Sequence, residues 1–344
     1  MGGGPMNRVL VTGASGFVGG HLVDVLVRRG LDVRVLVRSH AAADRFRAQR
    51  VDAALGDLCD PDSLPAAVAD RDTVFHVGGA IAVVRYDDFD RINGGGTRNL
   101  VAACQRLPQP PQFVLVSSIS AAGPVPRGSV RTEDAAPNPI SRYGVSKRAG
   151  ELAVEAAAGQ MPATIVRPGV VFGPRDKELL VAFRAIRNTF IHVSPRRRNP
   201  PLSYIEAVDL AELLIAAAER GRRVAAPGTT TPGTGDGYYF ATHNEFPCYR
   251  QFGQLAAQAM GRRFAIPCVP PRPIPWCIAL TGELLAKLRG KPVVFGRDKF
   301  REAIASSWAC SNQRAREQLA FQPSAPLLDQ LRDTVAWYRH EGWL

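Results

Sequence analysis

A glycine-rich turn near the start of the sequence constrains the fold more than any other feature. Glycine occupies positions 13, 16 and 19, between an apolar run at 8–12 and an amphipathic stretch at 17–29. In such a turn Gly13 permits the tight bend, Gly16 lets the backbone approach a pyrophosphate, and Gly19 lets the helix pack closely on the strand. The turn therefore predicts a dinucleotide site between the first strand and the first helix.

The apolar pattern extends this unit into a larger sheet. Short apolar runs alternate with amphipathic stretches through the first half of the chain, and we predict strands at 8–12, 33–37, 53–55, 73–76, 113–117 and 163–166. Such alternation predicts an α/β fold with a Rossmann-type, doubly wound parallel sheet. Ligands of this architecture bind at the carboxyl ends of the strands.

We expect one main domain and a smaller C-terminal α/β lobe that binds substrate. The predicted parts are a flexible leader at 1–6, a dinucleotide-binding domain at 7–175 with returns at 203–222 and 237–242, and the substrate lobe at 176–202 and 243–344. Turn residues predict breaks at 224–237 and at 267–275, where five prolines occur.

Helices are predicted at 207–218, 249–260, 276–288 and 327–337. The segment 276–288 is apolar enough to lie on a membrane surface. Its pattern nevertheless favours a helix in the core or at a dimer contact.

Charge and cysteine content limit the classes of partner and metal that we expect the protein to bind. The formal net charge of +12 suits an anionic partner such as a dinucleotide or an acidic membrane surface. No nucleic-acid motif accompanies the densest basic run, at 196–198, so we expect no nucleic-acid partner. The six cysteines lack metal-ligand spacing, so we predict no metal site. No apolar run is long enough to span a bilayer. We therefore expect a cytoplasmic protein, with peripheral membrane contact as an alternative that nothing requires.

Residues after three of the predicted strands bear on the choice of cofactor. An acidic residue for the ribose 2′-hydroxyl is expected after the second strand, but Arg38 stands there. A guanidinium suits a 2′-phosphate, so we favour NADP(H), with NAD(H) or a merely solvated Arg38 as the alternative. Asp57 can accept a hydrogen bond from the adenine amino group, and Gly78 and Gly79 leave space for a cofactor. Each of these three residues also suits an ordinary turn.

A serine, a tyrosine and a lysine provide the predicted chemistry. Tyr143 and Lys147 are four residues apart, so on a helix they share a face. A phenol with a pKa of about 10 transfers protons poorly at neutral pH, and a neighbouring ammonium favours the phenolate. Ser118 ends a strand that points into the same crevice and can hydrogen-bond the reacting oxygen. A tyrosine and a lysine at this spacing are otherwise common on inert helix surfaces.

Together with the segments 93–99, 117–123 and 167–174, these motifs resemble the extended short-chain dehydrogenase/reductase superfamily over essentially the whole chain. The resemblance implies that Ser118, Tyr143 and Lys147 form a catalytic triad. The further predicted cofactor contacts are Ser15, Phe17, Val18, Leu58, Val77, Asn93, Ser117, Pro168, Gly169 and Val170.

Asn93 and the three glycines after it have two interpretations each. By the resemblance Asn93 supports the site, whereas a buried residue that satisfies backbone is the alternative. The run Gly94-Gly95-Gly96 departs from the family pattern and costs about 1 kcal/mol per glycine relative to alanine in a helix. It predicts either a close helix approach or a distortion near the pocket.

Two differences favour one branch of the superfamily. Sugar-nucleotide epimerases tend to carry asparagine where this chain has Val170, and the 4,6-dehydratases resemble Thr-Asp-Glu where it has Ser118-Ile119-Ser120. The chain is more similar to the 3β-hydroxysteroid dehydrogenase and dihydroflavonol reductase branch. This predicts an NAD(P)-dependent oxidoreductase that interconverts a secondary alcohol and a ketone, with Tyr143 as acid and base.

The predicted substrate is apolar, and sterol-like or flavonoid-like rings fit the branch. Five residues near the expected pocket support this, although they also suit a core: Ile81, Val83, Ile119, Val170 and Phe172. The alternatives are an NAD-dependent nucleotide-sugar 4-epimerase and a non-catalytic cofactor sensor. By analogy with the superfamily, we expect a homodimer through residues 87–107 and 141–158.

Overall fold

The computed structural model of the chain describes residues 6–194, 200–226, 235–271, 273–293 and 295–344. The basic run at 196–198, residues 1–5 of the expected leader and residues 227–234 of the first predicted break lie outside that part. Met6, also assigned to the leader, is partly buried against the core.

The described residues form eleven strands: β1 (Arg8–Thr12), β2 (Asp32–Val37), β3 (Asp52–Leu55), β4 (Thr73–His76), β5 (Gln112–Val116), β6 (Ala163–Pro168), β7 (Val170–Phe172), β8 (Ile191–Val193), β9 (Tyr204–Glu206), β10 (Tyr238–Ala241) and β11 (Ile266–Cys268). Seven of them make one parallel sheet in the order β10-β6-β5-β4-β1-β2-β3. The predicted doubly wound α/β fold is confirmed. Two parallel pairs, β7 with β9 and β8 with β11, lie outside this sheet.

The helices are α1 (Phe17–Arg28), α2 (His40–Ala48), α3 (Pro65–Val68), α4 (Asp87–Phe89), α5 (Gly96–Gln105), α6 (Ile119–Ala122), α7 (Arg142–Ala157), α8 (Glu178–Thr189), α9 (Ala207–Arg220), α10 (Tyr249–Ala259), α11 (Pro273–Arg289), α12 (Arg297–Ala303), α13 (Gln313–Leu319) and α14 (Leu327–His340). A short 3-10 helix covers Pro61–Ser63, and a π-helical segment, Asp90–Gly95, connects α4 to α5. Among the described residues, no helix is both long and apolar enough to cross a membrane.

Alternation along the strands gives the sheet two apolar faces. In β1, Val9 and Val11 belong to a core shared with α1 and α9, whereas Leu10 belongs to a core shared with α5 and α7. Successive side chains of a strand point to opposite faces, so a sheet covered by helices on both sides needs a continuous apolar run. A third core lies mainly between α8, α10 and α14 and includes Phe183 and Phe252.

In the C-terminal part, the bounds of one predicted break were wrong, and one of the two predicted places of the helix at 276–288 is excluded. The break at 267–275 is shorter than expected, because Pro267 lies within β11 and α11 begins at Pro273. Proline is tolerated in a short edge strand and in the first turn of a helix, where its missing N–H costs nothing. Helix α11 does not lie in a core, since only Ala279 and Ala286 are buried in it, and the dimer contact that was predicted beside the core stays a prediction.

Candidate active site

The glycine turn leaves the start of α1 open to an anion. Gly13 has φ 72°, and a Cβ there would lie 2.7 Å from the Cα of Gly78. A Cβ on Gly19 would collide with the carbonyl oxygen of Gly13. Gly16 caps α1 without a side-chain hydrogen bond, and the first turn of the helix carries no acidic residue. The first N–H groups of α1 and the helix dipole are therefore available to a pyrophosphate.

The other predicted residues of this turn line its outer side. Ser15 is exposed, whereas Phe17 and Val18 are partly buried in the first turn of α1. At the end of the neighbouring β2, Arg38 is exposed. None of the hydrogen bonds or ion pairs found among the described residues involves its guanidinium.

Asp57 and Leu58 follow β3 at the same edge of the sheet. Asp57 is partly buried, and its Oδ1 accepts from the backbone N of Cys59 at 2.9 Å. Leu58 fills space beside two glycines, because a Cβ on Gly78 would lie 3.1 Å from its Cδ1 and one on Gly96 would lie 2.9 Å from its Cβ. Leu58 therefore lies between the loop after β4 and the start of α5.

Asn93 positions the loop after β4 rather than facing solvent. Its Oδ1 accepts from the backbone N of Ala80 at 2.7 Å, and its Nδ2 donates to Ala80 O at 3.0 Å and to Ser146 Oγ at 2.9 Å. A Cβ on Gly79 would lie 2.9 Å from Asn93 Oδ1, so the chain of Val77 to Gly79 passes close to this amide. Asn93 thus joins the loop after β4 to α7.

The glycine run shows both features that its composition predicted. Gly94 and Gly95 lie in the π-helical segment, and a Cβ on Gly94 would approach the Cβ of Ala149 on α7 to 3.1 Å. Short π-helical segments between α-helices often occur at functional sites. Here the irregular turn lets Asn93 approach α7.

Ser118, Tyr143 and Lys147 meet at the carboxyl end of β5. Ser118 caps α6 and lies near enough to the phenol of Tyr143 to lower its pKa, and Tyr143 remains partly accessible. Lys147 is buried, and its Nζ donates to the carbonyl oxygen of Val116 at 2.6 Å. The side chain of Lys147 also passes near Gly79, whose Cβ would lie 3.6 Å from its Nζ.

Helix α12 holds the start of α7 from the far end of the sequence. Asp298 accepts from the backbone N of Arg142 at 2.7 Å and from that of Tyr143 at 3.0 Å. Glu302 accepts from the hydroxyl of Ser141, the N-cap residue of α7, at 2.6 Å. Carboxylates at a helix N-terminus satisfy free N–H groups and complement the dipole. Sequence reasoning missed this helix, because no local pattern relates it to α7.

The electrostatics of Tyr143 depend on a cation that the sequence did not indicate. Burial raises the pKa of Tyr143, whereas Lys299 and the hydrogen bond with Ser118 oppose this shift, with Lys299 making the larger contribution. Lys299 lies on α12 and pairs with Glu302 at 3.3 Å. Lys147, which we expected to act on the phenol, has a pKa lowered to about 8 by burial. A cation of α12 therefore favours the phenolate, whereas burial has the larger effect and the pKa of Tyr143 is raised overall.

A buried ionic cluster lies directly beneath these residues. Glu151 is fully buried, and it accepts from Arg167 at 2.7 and 2.8 Å, from Arg148 at 3.0 Å and from Ser117 at 2.5 Å. Although burial raises it, the arginines hold the pKa of Glu151 below its ordinary value. The Ser117 hydroxyl, which we predicted as a cofactor contact, therefore has its hydrogen-bond partner, Glu151, inside the protein. Ser117 and Ser118 are successive residues and point to opposite sides.

The segment after β6 borders the crevice on the remaining side. Pro168 is buried, while Gly169 and Val170 are partly buried. A Cβ on Gly169 would collide with Ser203 O, which also accepts from the N of Val170 at 2.8 Å. Of the expected pocket residues, Ile119 and Phe172 belong to the third core, whereas Ile81 is exposed and Val83 is partly buried.

Comparisons with known proteins agree with this geometry. The model of the NAD-dependent epimerase/dehydratase family matches residues 9–230, so the chain belongs to that family. It is 31% identical to ceramide reductase of Caulobacter vibrioides (strain NA1000 / CB15N), over 98% of this chain and 96% of that protein. It is 29% identical to 2-alkyl-3-oxoalkanoate reductase of Stenotrophomonas maltophilia (strain K279a), over 94% and 97%. The solved structure of gox2253 matches with a TM-score of 0.75 and 26% identity, over 98% of this chain and 99% of that one.

The fold, the site and these relatives define the class of protein. The resemblance to the extended short-chain dehydrogenase/reductases is confirmed. The chain is an NAD(P)-dependent dehydrogenase or reductase of the epimerase/dehydratase family.

Proposed function

We propose that this enzyme is an NADP(H)-dependent reductase that interconverts a ketone and a secondary alcohol on an apolar substrate. The observation that carries the proposal is the meeting of Tyr143, Ser118 and Lys147 at the carboxyl end of β5. Two similar proteins are named for the reduction of ceramide and of a 2-alkyl-3-oxoalkanoate. We take from these names a keto group next to an alkyl chain, and sterol-like or flavonoid-like rings remain within the proposed class.

A nicotinamide dinucleotide fits the crevice on structural grounds. Glycine at positions 13 and 78 lets the turn after β1 pack directly on the loop after β4, since a Cβ on Gly13 would lie 2.7 Å from the Cα of Gly78, and the uncapped start of α1 suits the pyrophosphate. Arg38 is exposed beside this space and suits a 2′-phosphate, which supports NADP(H) over NAD(H). When bound, the cofactor supplies the hydride for reduction or accepts it in oxidation.

The residues of the chain manage the proton and the substrate oxygen. Tyr143 gives its phenolic proton to the ketone oxygen during reduction and takes it back in oxidation. The Ser118 hydroxyl hydrogen-bonds the same oxygen as negative charge develops on it. The Nζ of Lys147 donates to Val116 O, and this hydrogen bond fixes the lysine beside Gly79. The ion pair between Glu151 of α7 and Arg167 of β6 fixes the helix against the sheet.

Dissociation constants for NADPH and NADH test the cofactor choice. We expect tighter NADPH binding, and Arg38→Ala should weaken it by about ten- to a hundredfold, the value of charge-assisted hydrogen bonds, without changing NADH binding. Arg45→Ala is the matched control, because Arg45 is also exposed but lies on α2 over the ring of Phe46. Equal loss for both cofactors, or tighter NADH binding, contradicts the assignment.

A substrate panel tests the reaction. We expect NADPH oxidation with 3-oxoacyl compounds or with sterol and flavonoid ketones. Turnover of UDP-sugars with no net change in nicotinamide absorbance would instead establish the nucleotide-sugar 4-epimerase. We also propose a cytoplasmic homodimer that pairs through α5 and α7, because Val145 and Leu152 are 47% and 51% exposed on α7.

A further inference from the structure

Helix α11 has its large apolar side chains on the outside. Seven of the twenty exposed large apolar residues in the described part of the chain lie on it: Ile274, Trp276, Ile278, Leu280, Leu284, Leu285 and Leu288. Its buried positions are the small residues Ala279 and Ala286, which are seven residues apart and share one face. A helix of a globular protein normally has the reverse arrangement.

The exposed charges of α11 and of the turn that follows it are positive. Lys287, Arg289 and Lys291 are exposed at its C-terminal end. Its one acidic residue, Glu283, is turned inward: it accepts from Tyr86 at 2.6 Å and from Arg297 at 2.7 and 2.8 Å. The exposed face therefore combines apolar side chains with cations and presents no carboxylate of its own.

The same helix connects to the candidate active site. Tyr86, which donates to Glu283, lies next to Phe89, whose ring is 5.9 Å from that of Tyr143. Arg297 begins α12, the helix that caps α7. A surface that bound α11 would therefore lie near the candidate active site.

We propose that α11, together with Lys291 and Phe295, docks on an anionic phospholipid surface. Apolar side chains enter the boundary between headgroups and acyl chains, and neighbouring cations attract anionic headgroups. A second copy of this chain is the competing occupant. A two-fold contact between α11 and the α11 of a second copy would bring like-charged cations together, with no exposed carboxylate of the helix to neutralise them. Charge therefore favours the lipid surface. This proposal goes beyond the proposed reaction and does not depend on it.

Sedimentation of the full-length protein with vesicles tests the docking. We expect binding to vesicles of phosphatidylcholine with phosphatidylglycerol, loss of binding at high salt, and little binding to phosphatidylcholine alone. Lys287→Gln and Arg289→Gln should each weaken binding about fivefold. Leu284→Asp should weaken it more than about tenfold, since it places a carboxylate among the apolar side chains. Val181→Asp is the matched control, because Val181 is 68% exposed on α8.

Fluorescence gives a local readout. Brominated lipids should quench Trp276, which is 45% exposed, and Trp276→Phe should remove the quenched component while the thermal unfolding curve stays unchanged. Equal vesicle binding by Leu284→Asp and Val181→Asp, or no preference for anionic lipid, overturns the proposal. Light scattering without lipid completes the test. If Leu284→Asp converts a dimer to a monomer, a second copy covers α11 and the lipid proposal is wrong; if only Leu152→Asp does so, α11 is free for lipid.

Discussion

Helices α7 and α11 are similar in length and opposite in their relation to the core. Helix α7 has 16 residues, and it buries Lys147, Glu151 and Ser146. Helix α11 has 17 residues and a more apolar sequence, yet buries only Ala279 and Ala286. Apolar content alone therefore does not decide which helix enters the core. Available neighbours decide it, because the buried polar groups of α7 meet partners, whereas the large side chains of α11 stay mostly exposed and, among the described residues, only Trp276 has a ring contact, with Phe300.

Close approach explains how α7 finds those partners. Gly150 allows contact with α5, since a Cβ there would lie 3.1 Å from both Asn93 O and Thr97 Oγ1. A Cβ on Gly144 would collide with Ser120 O. Small residues let the backbones of these elements approach, so that short hydrogen bonds satisfy buried polar groups. No such set of neighbours surrounds α11 in the described part of the chain.

The largest effect in this comparison is expected at the phenol of α7. Tyr143→Phe removes the proton donor and should lower the reduction rate by about a hundred- to ten-thousandfold. NADPH affinity, measured by fluorescence titration, should change little, because the glycine turn and Arg38 are untouched. A Tyr143→Phe variant that keeps the full reduction rate would show that Tyr143 is not the proton donor.

The second effect concerns the stability of the buried ions. Glu151→Gln leaves Arg167 buried without its carboxylate and should lower the free energy of unfolding by about 3–5 kcal/mol. Glu212→Gln, which breaks the exposed pair with Arg29, should change it by about 0–1 kcal/mol. Urea denaturation of both variants measures the difference. Similar losses would mean that burial does not distinguish the two pairs.

The smallest effect is a shift in pH dependence. Lys299 lowers the pKa of Tyr143, so Lys299→Met should raise that pKa. Alcohol oxidation needs the phenolate, and the acidic limb of its pH profile should therefore move to higher pH. Lys299→Arg should keep the profile, whereas Arg332→Met on α14 controls for loss of a distant, exposed cation. An unchanged limb in Lys299→Met would assign Lys299 a structural role alone.

The local parts of the fold could be read from the sequence. Strand β1 and strand β4 have the predicted bounds, and α1 ends within one residue of its prediction. Alternation and periodicity are local signals, because they record which side of a strand or helix faces the core. Likewise, the spacing of Tyr143 and Lys147 fixes their shared face on α7 before any tertiary contact is known.

Alternation and periodicity do not predict contacts between distant parts of the chain. Asp298 and Lys299 act on Tyr143 from 155 and 156 positions away, and nothing in their own segment indicates it. The exposure of α11 is equally tertiary, because its apolar sequence suits a core helix until the neighbours are known. By itself the sequence determined the parallel-sheet class, the glycine turn and the shared face of Tyr143 and Lys147, since each depends on periodicity or short spacing. Only the tertiary structure decided which cation faces the phenol and which apolar helix remains uncovered, because both depend on what packs alongside.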